Sequence, residues 1–292
     1  MLKNEIVKNQ TRRQLLRRGA AASASAVTTG AALALQTGCA TAQALGRGEA
    51  LTAQTTEGPF YLDKMANRAD ITEGLTGVPL DIALEVVDQS GRALSGVIVN
   101  VWHCDTNGLY SGFAGQGDNL TTNTMGKTFL RGNQIAGETG SVLFRTIYPG
   151  WYAGRTTHIH FKVSVGERAV VTSQFFLPDS LSEFLYTQLS SYKRGKLRDV
   201  LNSTDGIALS AGQTVMGSIK ELKGKYVASL RIVVDPDANP RVHRPPPPGS
   251  PRPPGGPPPE FAGRGGPPPG FGGTPALKAP EGEARIKALV PS

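Results

Sequence analysis

Phe144-Arg145-Thr146-Ile147-Tyr148-Pro149-Gly150-Trp151-Tyr152-Ala153-Gly154-Arg155-Thr156-Thr157-His158-Ile159-His160 ends one strand, turns at Pro149-Gly150 and opens another. Upstream, Gly140–Ile147 reads as a strand that the Pro-Gly pair terminates. Downstream, Thr157–Val165 reads as a strand, and Ala169–Phe176 is its partner across Gly166-Glu167-Arg168. Two of the chain's four histidines lie in this stretch. Side chains at i and i+2 of a strand share a face, so His158 and His160 point one way while Ile159 and Phe161 point the other. Two readings fit this pair: a bidentate metal clamp, or two ordinary histidines on a surface or a cross-strand site.

Further strands lie on both sides. Pro79–Asp88 and Gly96–His103 flank Gln89-Ser90-Gly91-Arg92 and predict a hairpin. Val215–Leu222 and Tyr226–Val234 predict a last hairpin around Lys223-Gly224-Lys225. Asp179–Asp199 suits one or two short helices. Short strands with frequent turns predict a mainly β fold, an antiparallel β-sandwich core with a few short helices, as one domain over residues 45–240.

The 292 residues carry a formal charge of +8. Residues 1–44 hold six Lys/Arg and one Glu, and residues 241–292 hold seven Lys/Arg and three Glu. The middle, with eighteen Lys/Arg against nineteen Asp/Glu, is close to neutral. A phosphate-binding groove needs its charge on the folded part, so nucleic acid is set aside as a partner. Cys39 and Cys104 cannot form a disulfide framework.

Both ends read as something other than the folded core. Thr11-Arg12-Arg13-Gln14-Leu15-Leu16-Arg17 resembles a twin-arginine export signal, and the Ala-rich run Gly19–Leu35 follows as its apolar region. Cleavage after Ala42 or Ala44 fits; Thr37-Gly38-Cys39 weakly resembles a lipoprotein site, with Gln36 where that motif wants Leu or Val. The expected location is periplasmic, cell-surface or extracellular. That export route carries folded proteins, often with a cofactor in place, which would suit a metal loaded inside the cell. Sixteen of the twenty-two prolines fall in 241–292, where Pro257–Gly263 recurs as Pro267–Gly273. So little apolar surface predicts a disordered or polyproline-like tail, either a flexible extension or a contact with the cell envelope.

Two tyrosines stand near the histidine strand. Tyr110 follows the strand ending at Trp102-His103, and Tyr152 sits six residues before His158. A phenol is a poor ligand while neutral, with a pKa near ~10. Beside a hard trivalent cation it is held as phenolate, and two phenolates with two imidazoles suit ferric iron. Each tyrosine taken alone is more simply an amphipathic packing residue.

Together these elements resemble the intradiol ring-cleavage dioxygenases, the family of catechol 1,2- and protocatechuate 3,4-dioxygenases. The matching stretches are Thr56-Glu57-Gly58-Pro59-Phe60-Tyr61, Trp102–Tyr110, Phe129-Leu130-Arg131-Gly132, Phe144–Tyr152, Arg155–His160 and Gln174, over roughly 52–236. The resemblance implies non-haem Fe(III) bound by Tyr110, Tyr152, His158 and His160. It implies a catecholic substrate and O2, with cleavage between the two hydroxylated carbons to a cis,cis-muconate-type diacid. Tyr152 would leave the iron as substrate chelates and take up a substrate proton. Arg155 would stabilise negative charge on the ring, Gln174 would orient it, and Pro59 and Tyr61 would line the pocket mouth.

The chain has no long helical segment before Thr56, which leans towards the protocatechuate type; homo-oligomerisation stays open. Two other readings compete. His103-Cys104-Asp105 with His158 and Arg168 imitates the facial triad of Fe(II), 2-oxoglutarate oxygenases, but leaves Tyr110, Tyr152 and His160 unused. The other is a non-catalytic, exported β-sandwich binding module.

Overall fold

A computed structural model describes residues 48–241 and 277–289; the expected export signal and Cys39 lie outside them. The strands are β1 (Pro79–Asp88), β2 (Ile98–Trp102), β3 (Arg131–Ile135), β4 (Ser141–Ile147), β5 (His158–Val165), β6 (Arg168–Phe176), β7 (Ser218–Leu222) and β8 (Lys225–Val234). Among the described residues three short α-helices accompany them, α1 (Asp179–Gln188), α2 (Gly206–Ala211) and α3 (Gly282–Leu289), with a 3-10 turn at Gly212–Val215. No helix among the described residues is long and apolar enough to cross a membrane.

Two four-stranded sheets form, ordered β4-β1-β8-β7 and β3-β2-β5-β6. Leu80, Ile82 and Leu84 of β1, Phe144 of β4 and Ile232 of β8 meet Val99 and Val101 of β2 and Ile159, Phe161 and Val163 of β5 in one buried core. This is the expected β-sandwich. Burying each such side chain contributes on the order of 1.5–3 kcal/mol.

Three local expectations differ from what forms. First, β1 and β2 are not a hairpin. The Asp88 carboxylate caps the turn, accepting from Ser90 N at 2.9 Å and Arg92 N at 3.1 Å, and Leu94 N then bonds Val86 O. Both edges of β1 are taken by β4 and β8, so the chain leaves at Gly96, whose φ of 77° is in the left-handed region, and crosses to the other sheet. Second, β1 and β8 pair in parallel, so one sheet is mixed. Third, residues 277–289 fall inside the segment expected to be disordered, yet they contain α3; Arg285 is buried there against Glu183 of α1.

The strand pair that opened the sequence reading is as expected. β5 and β6 form an antiparallel hairpin with Val165 opposite Arg168, and β7 and β8 form another. Trp102 on β2 and Gln174 on β6 lie directly opposite His160 on either side. The region 179–199 supplies one helix, and the second, α2, begins later at Gly206.

Candidate active site

The face of β5 turned away from the sandwich core carries His158 and His160, both 2 % exposed. Trp102 stacks flat on His160, with ring centroids 4.9 Å apart and planes at 10°. Gly58, with φ +72°, lies against the same imidazole: a Cβ there would be 3.1 Å from its Cε1. A ring gripped this closely has one orientation.

Tyr110 reaches the same place through a backbone-to-backbone contact between two loops. A Cβ on Gly150 would lie 2.4 Å from Thr106 O, and one on Gly108 would lie 2.2 Å from Trp151 O. Gly150 N donates to Asp105 O at 2.9 Å. Only glycine allows the 104–110 loop to sit directly on the 149–152 turn, and that contact sets Tyr110 and Tyr152 side by side, rings 5.8 Å apart. Tyrosines behind the turn fix its other side: Tyr186 Oη donates to Pro149 O and Tyr192 Oη to Tyr148 O, each at 2.8 Å.

Four polar atoms converge as a result. His158 Nε2 is 3.1 Å from Tyr152 Oη, 3.4 Å from Tyr110 Oη and 3.2 Å from His160 Nε2. His158 Nδ1 lies 2.7 Å from Thr156 O, which can only accept, so the neutral ring carries its proton on Nδ1 and turns a bare Nε2 to the cluster. Burial, with Arg155 adding to it, lowers the His158 pKa to about 3, and burial carries His160 well below the usual imidazole value. Burial likewise pushes Tyr152 up to about 12, against the opposing charge of Arg155, and lifts Tyr110 well above a free phenol. All four groups are therefore neutral in the metal-free protein.

Among the described residues no group of three or more His, Cys, Asp or Glu converges, so a metal here depends on the phenols. The donor set fits one. Two inward imidazole nitrogens and two phenol oxygens gather here, the other three within 3.4 Å of His158 Nε2. A hard trivalent cation would take the two phenols as phenolates and the two imidazoles through their inward nitrogens.

Arg155 stands beside it, 5 % exposed. Its Nε donates to Asp205 Oδ2 at 2.8 Å and its Nη2 to Gln174 Oε1; Gln174 Nε2 in turn donates to Thr56 O at 3.1 Å. Burial works against both charges of the Arg155–Asp205 pair, and their mutual attraction outweighs it: the arginine pKa is raised and the aspartate's lowered. Tyr61 lies against Trp102, centroids 4.8 Å apart, with Lys162 Nζ 3.6 Å above its ring. It backs the wall behind His160. Pro59 occupies the turn leading to it and is half-buried.

The facial-triad residues are not brought together. His103 uses both ring nitrogens, on Cys104 O at 2.8 Å and Thr146 Oγ1 at 2.7 Å. Asp105 caps its own loop, accepting from Asn107 N and Leu109 N, and Arg168 bonds the carbonyls of Pro236 and Ala238. Sequence reasoning missed Asp205, whose only sign was an N-cap residue before Gly206. It also gave no role to Trp102 or to Arg131, a buried guanidinium held by Ser111 and Phe60 O, its Cζ 5.8 Å from the Tyr110 ring centre.

Known proteins resemble this chain in sequence and in fold. The Dioxygenase_C family model, described as Dioxygenase, matches residues 56–195. Catechol 1,2-dioxygenase from Acinetobacter baylyi is 27 % identical over 223 residues, 68 % of each chain. Chlorocatechol 1,2-dioxygenase from Pseudomonas putida is 26 % identical over 150 residues, 43 % of this chain and 53 % of that one. An intradiol ring-cleavage dioxygenase from Tetranychus urticae superposes with a TM-score of 0.61 at 26 % identity, covering 66 % of this chain and 98 % of that one. Fold, convergent donors and matched residues point the same way: residues 56–195 match the dioxygenase family, and the chain is similar to intradiol ring-cleavage dioxygenases.

Proposed function

We propose that this protein cleaves catecholic rings with O2 between the two hydroxylated carbons, using a non-haem ferric ion held by Tyr110, Tyr152, His158 and His160. The observation that carries the reading is the convergence of two imidazole nitrogens and two phenol oxygens in one buried cluster. A ferric ion so held would supply a Lewis acid for a chelating catecholate and an acceptor for its electron density.

The protein's own residues do the rest. His158 and His160 are fixed donors, one tied to Thr156 O and the other clamped between Trp102 and Gly58. Tyr152 is the more exposed of the two phenols, and its Oη is the group placed to accept a substrate proton. The buried Arg155 cation, held by Asp205, stabilises negative charge developing on the ring, and Gln174 orients the substrate beside it. Pro59 and Tyr61 line the mouth of the substrate pocket, Tyr61 through its contact with Trp102.

The substrate class is a catechol; the relatives' names include catechol and chlorocatechol. Oxygen uptake by iron-loaded protein across substituted catechols, with product spectra, tests the reading. A cis,cis-muconate-type product supports it; no uptake with any catechol favours a non-catalytic binding module. Export through the twin-arginine signal in residues 1–44, and envelope contact by the Pro-rich segment, are further parts of this proposal. They rest on Arg12-Arg13 and on composition.

A further inference from the structure

The support of Arg155 extends beyond its guanidinium. Gly154 N donates to both carboxylate oxygens of Asp199, at 3.1 and 3.0 Å. Thr156 N donates to Asp205 Oδ2 at 3.0 Å, and Thr156 Oγ1 to Asn202 Oδ1 at 2.8 Å. One loop, 198–205, therefore grips the peptide on each side of Arg155 as well as the side chain itself.

That loop is gripped in turn by the stretch that carries α3. Ala279 N donates to the carbonyl of Asp199 at 2.7 Å, and Leu277 N to the carbonyl of Thr204 at 2.9 Å. The bonded carbonyls are thus those of one gripping aspartate and of the neighbour of the other. Arg285 on α3 makes a two-pronged bond to Glu183, Nε to Oε1 at 2.8 Å and Nη2 to Oε2 at 2.9 Å, and reaches the Arg198 carbonyl at 3.3 Å. Glu183 also receives Arg198 at 3.2 Å, and Arg198 pairs with Asp179 at 2.6 Å, so the start of the loop, α1 and α3 are tied through one carboxylate. Ala279 and Arg285 are 5 % and 7 % exposed. A merely tethered extension would not bury an arginine or bond the backbone of this loop three times.

We propose that residues 277–289 are a positioning clasp for Arg155, with Arg285 as its main fastener. The clasp restricts the 198–205 loop, and the loop sets where the guanidinium stands over the site. The catalytic consequence rests on the ring-cleavage reading above; the mechanical one does not.

The full-length chain tests it, as wild type, Arg285→Ala and Arg285→Lys. Amide exchange in peptides spanning 153–157 is expected to speed up about tenfold in Arg285→Ala, while peptides spanning 159–175 of β5 and β6 stay unchanged. Turnover of catechol falls about tenfold with KM and bound iron near wild type, and Arg285→Lys lies between. Arg285→Gln, which keeps the aliphatic stem, repeats the test if the alanine variant yields no folded protein. Wild-type exchange in 153–157 overturns the proposal, as does exchange rising equally throughout the sandwich, which would mark Arg285 as a general stabiliser. If wild-type protein consumes no oxygen with catechol, the ring-cleavage reading fails, and the exchange comparison still decides the clasp.

Discussion

Arg155 and Asp205, fifty residues apart, form a buried ion pair with Nε 2.8 Å from Oδ2. The same carboxylate oxygen accepts from Thr156 N, and the other caps α2 through Ile207 N and Ala208 N. One side chain therefore closes a helix, fixes the strand entry before His158 and orients the charged group beside the histidine–tyrosine cluster.

Replacing Asp205 by Asn leaves the arginine buried without its counter-charge. The expected cost is about 3 kcal/mol of stability. The pH dependence follows from the lowered folded-state pKa of Asp205. Its contribution is complete above the unfolded carboxylate value and disappears as pH falls through the lower folded value. Thermal melts between pH 7 and acid should therefore show wild type losing more stability than Asp205→Asn on acidification.

Arg155→Lys keeps a positive charge and loses the fork that reaches Asp205 and Gln174 together. Turnover of a catechol is expected to fall by roughly 10²–10³ with iron content unchanged. Steady-state kinetics beside metal analysis checks this.

Gly150→Ala directs a methyl at the Thr106 carbonyl, 2.4 Å away, in a contact that neither backbone can relieve by rotating a side chain. The loops separate, Tyr110 moves off Tyr152, and iron retention falls while the sandwich persists. Iron stoichiometry measured alongside far-UV circular dichroism reads both effects.

Trp102→Ala removes the plate on which His160 lies. Its cost is about 3–5 kcal/mol, and bound iron is expected to decrease. Trp102→Phe, which retains a flat face, should recover most of both in denaturant melts and metal analysis.

The legible part of this protein was local. Alternation put His158 and His160 on one face, and Pro149-Gly150 marked the turn that presents Tyr152. What escaped was non-local or polar. β3, Arg131-Gly132-Asn133-Gln134-Ile135, has almost no apolar pattern; backbone pairing to β2 makes it a strand, and Gly132 fits because a Cβ would be 2.7 Å from Ile71. The crossing at Gly96 and the parallel β1–β8 pair depend on which edges other strands occupy, which spacing cannot encode. Asp205 and the 277–289 clasp act from afar on Arg155, and neither carries a motif. In a segment dominated by proline, eight residues of α3 left a weak helical signal.

The central claim is that two phenols and two imidazoles bind one ferric ion. The visible absorption spectrum of the purified, iron-loaded protein tests it most directly. Tyrosinate bound to Fe(III) predicts an intense charge-transfer band and a deep red colour, weakened in Tyr110→Phe, with iron lost in His160→Ala. A colourless protein holding stoichiometric iron, or iron content unchanged in His160→Ala, would contradict the assignment.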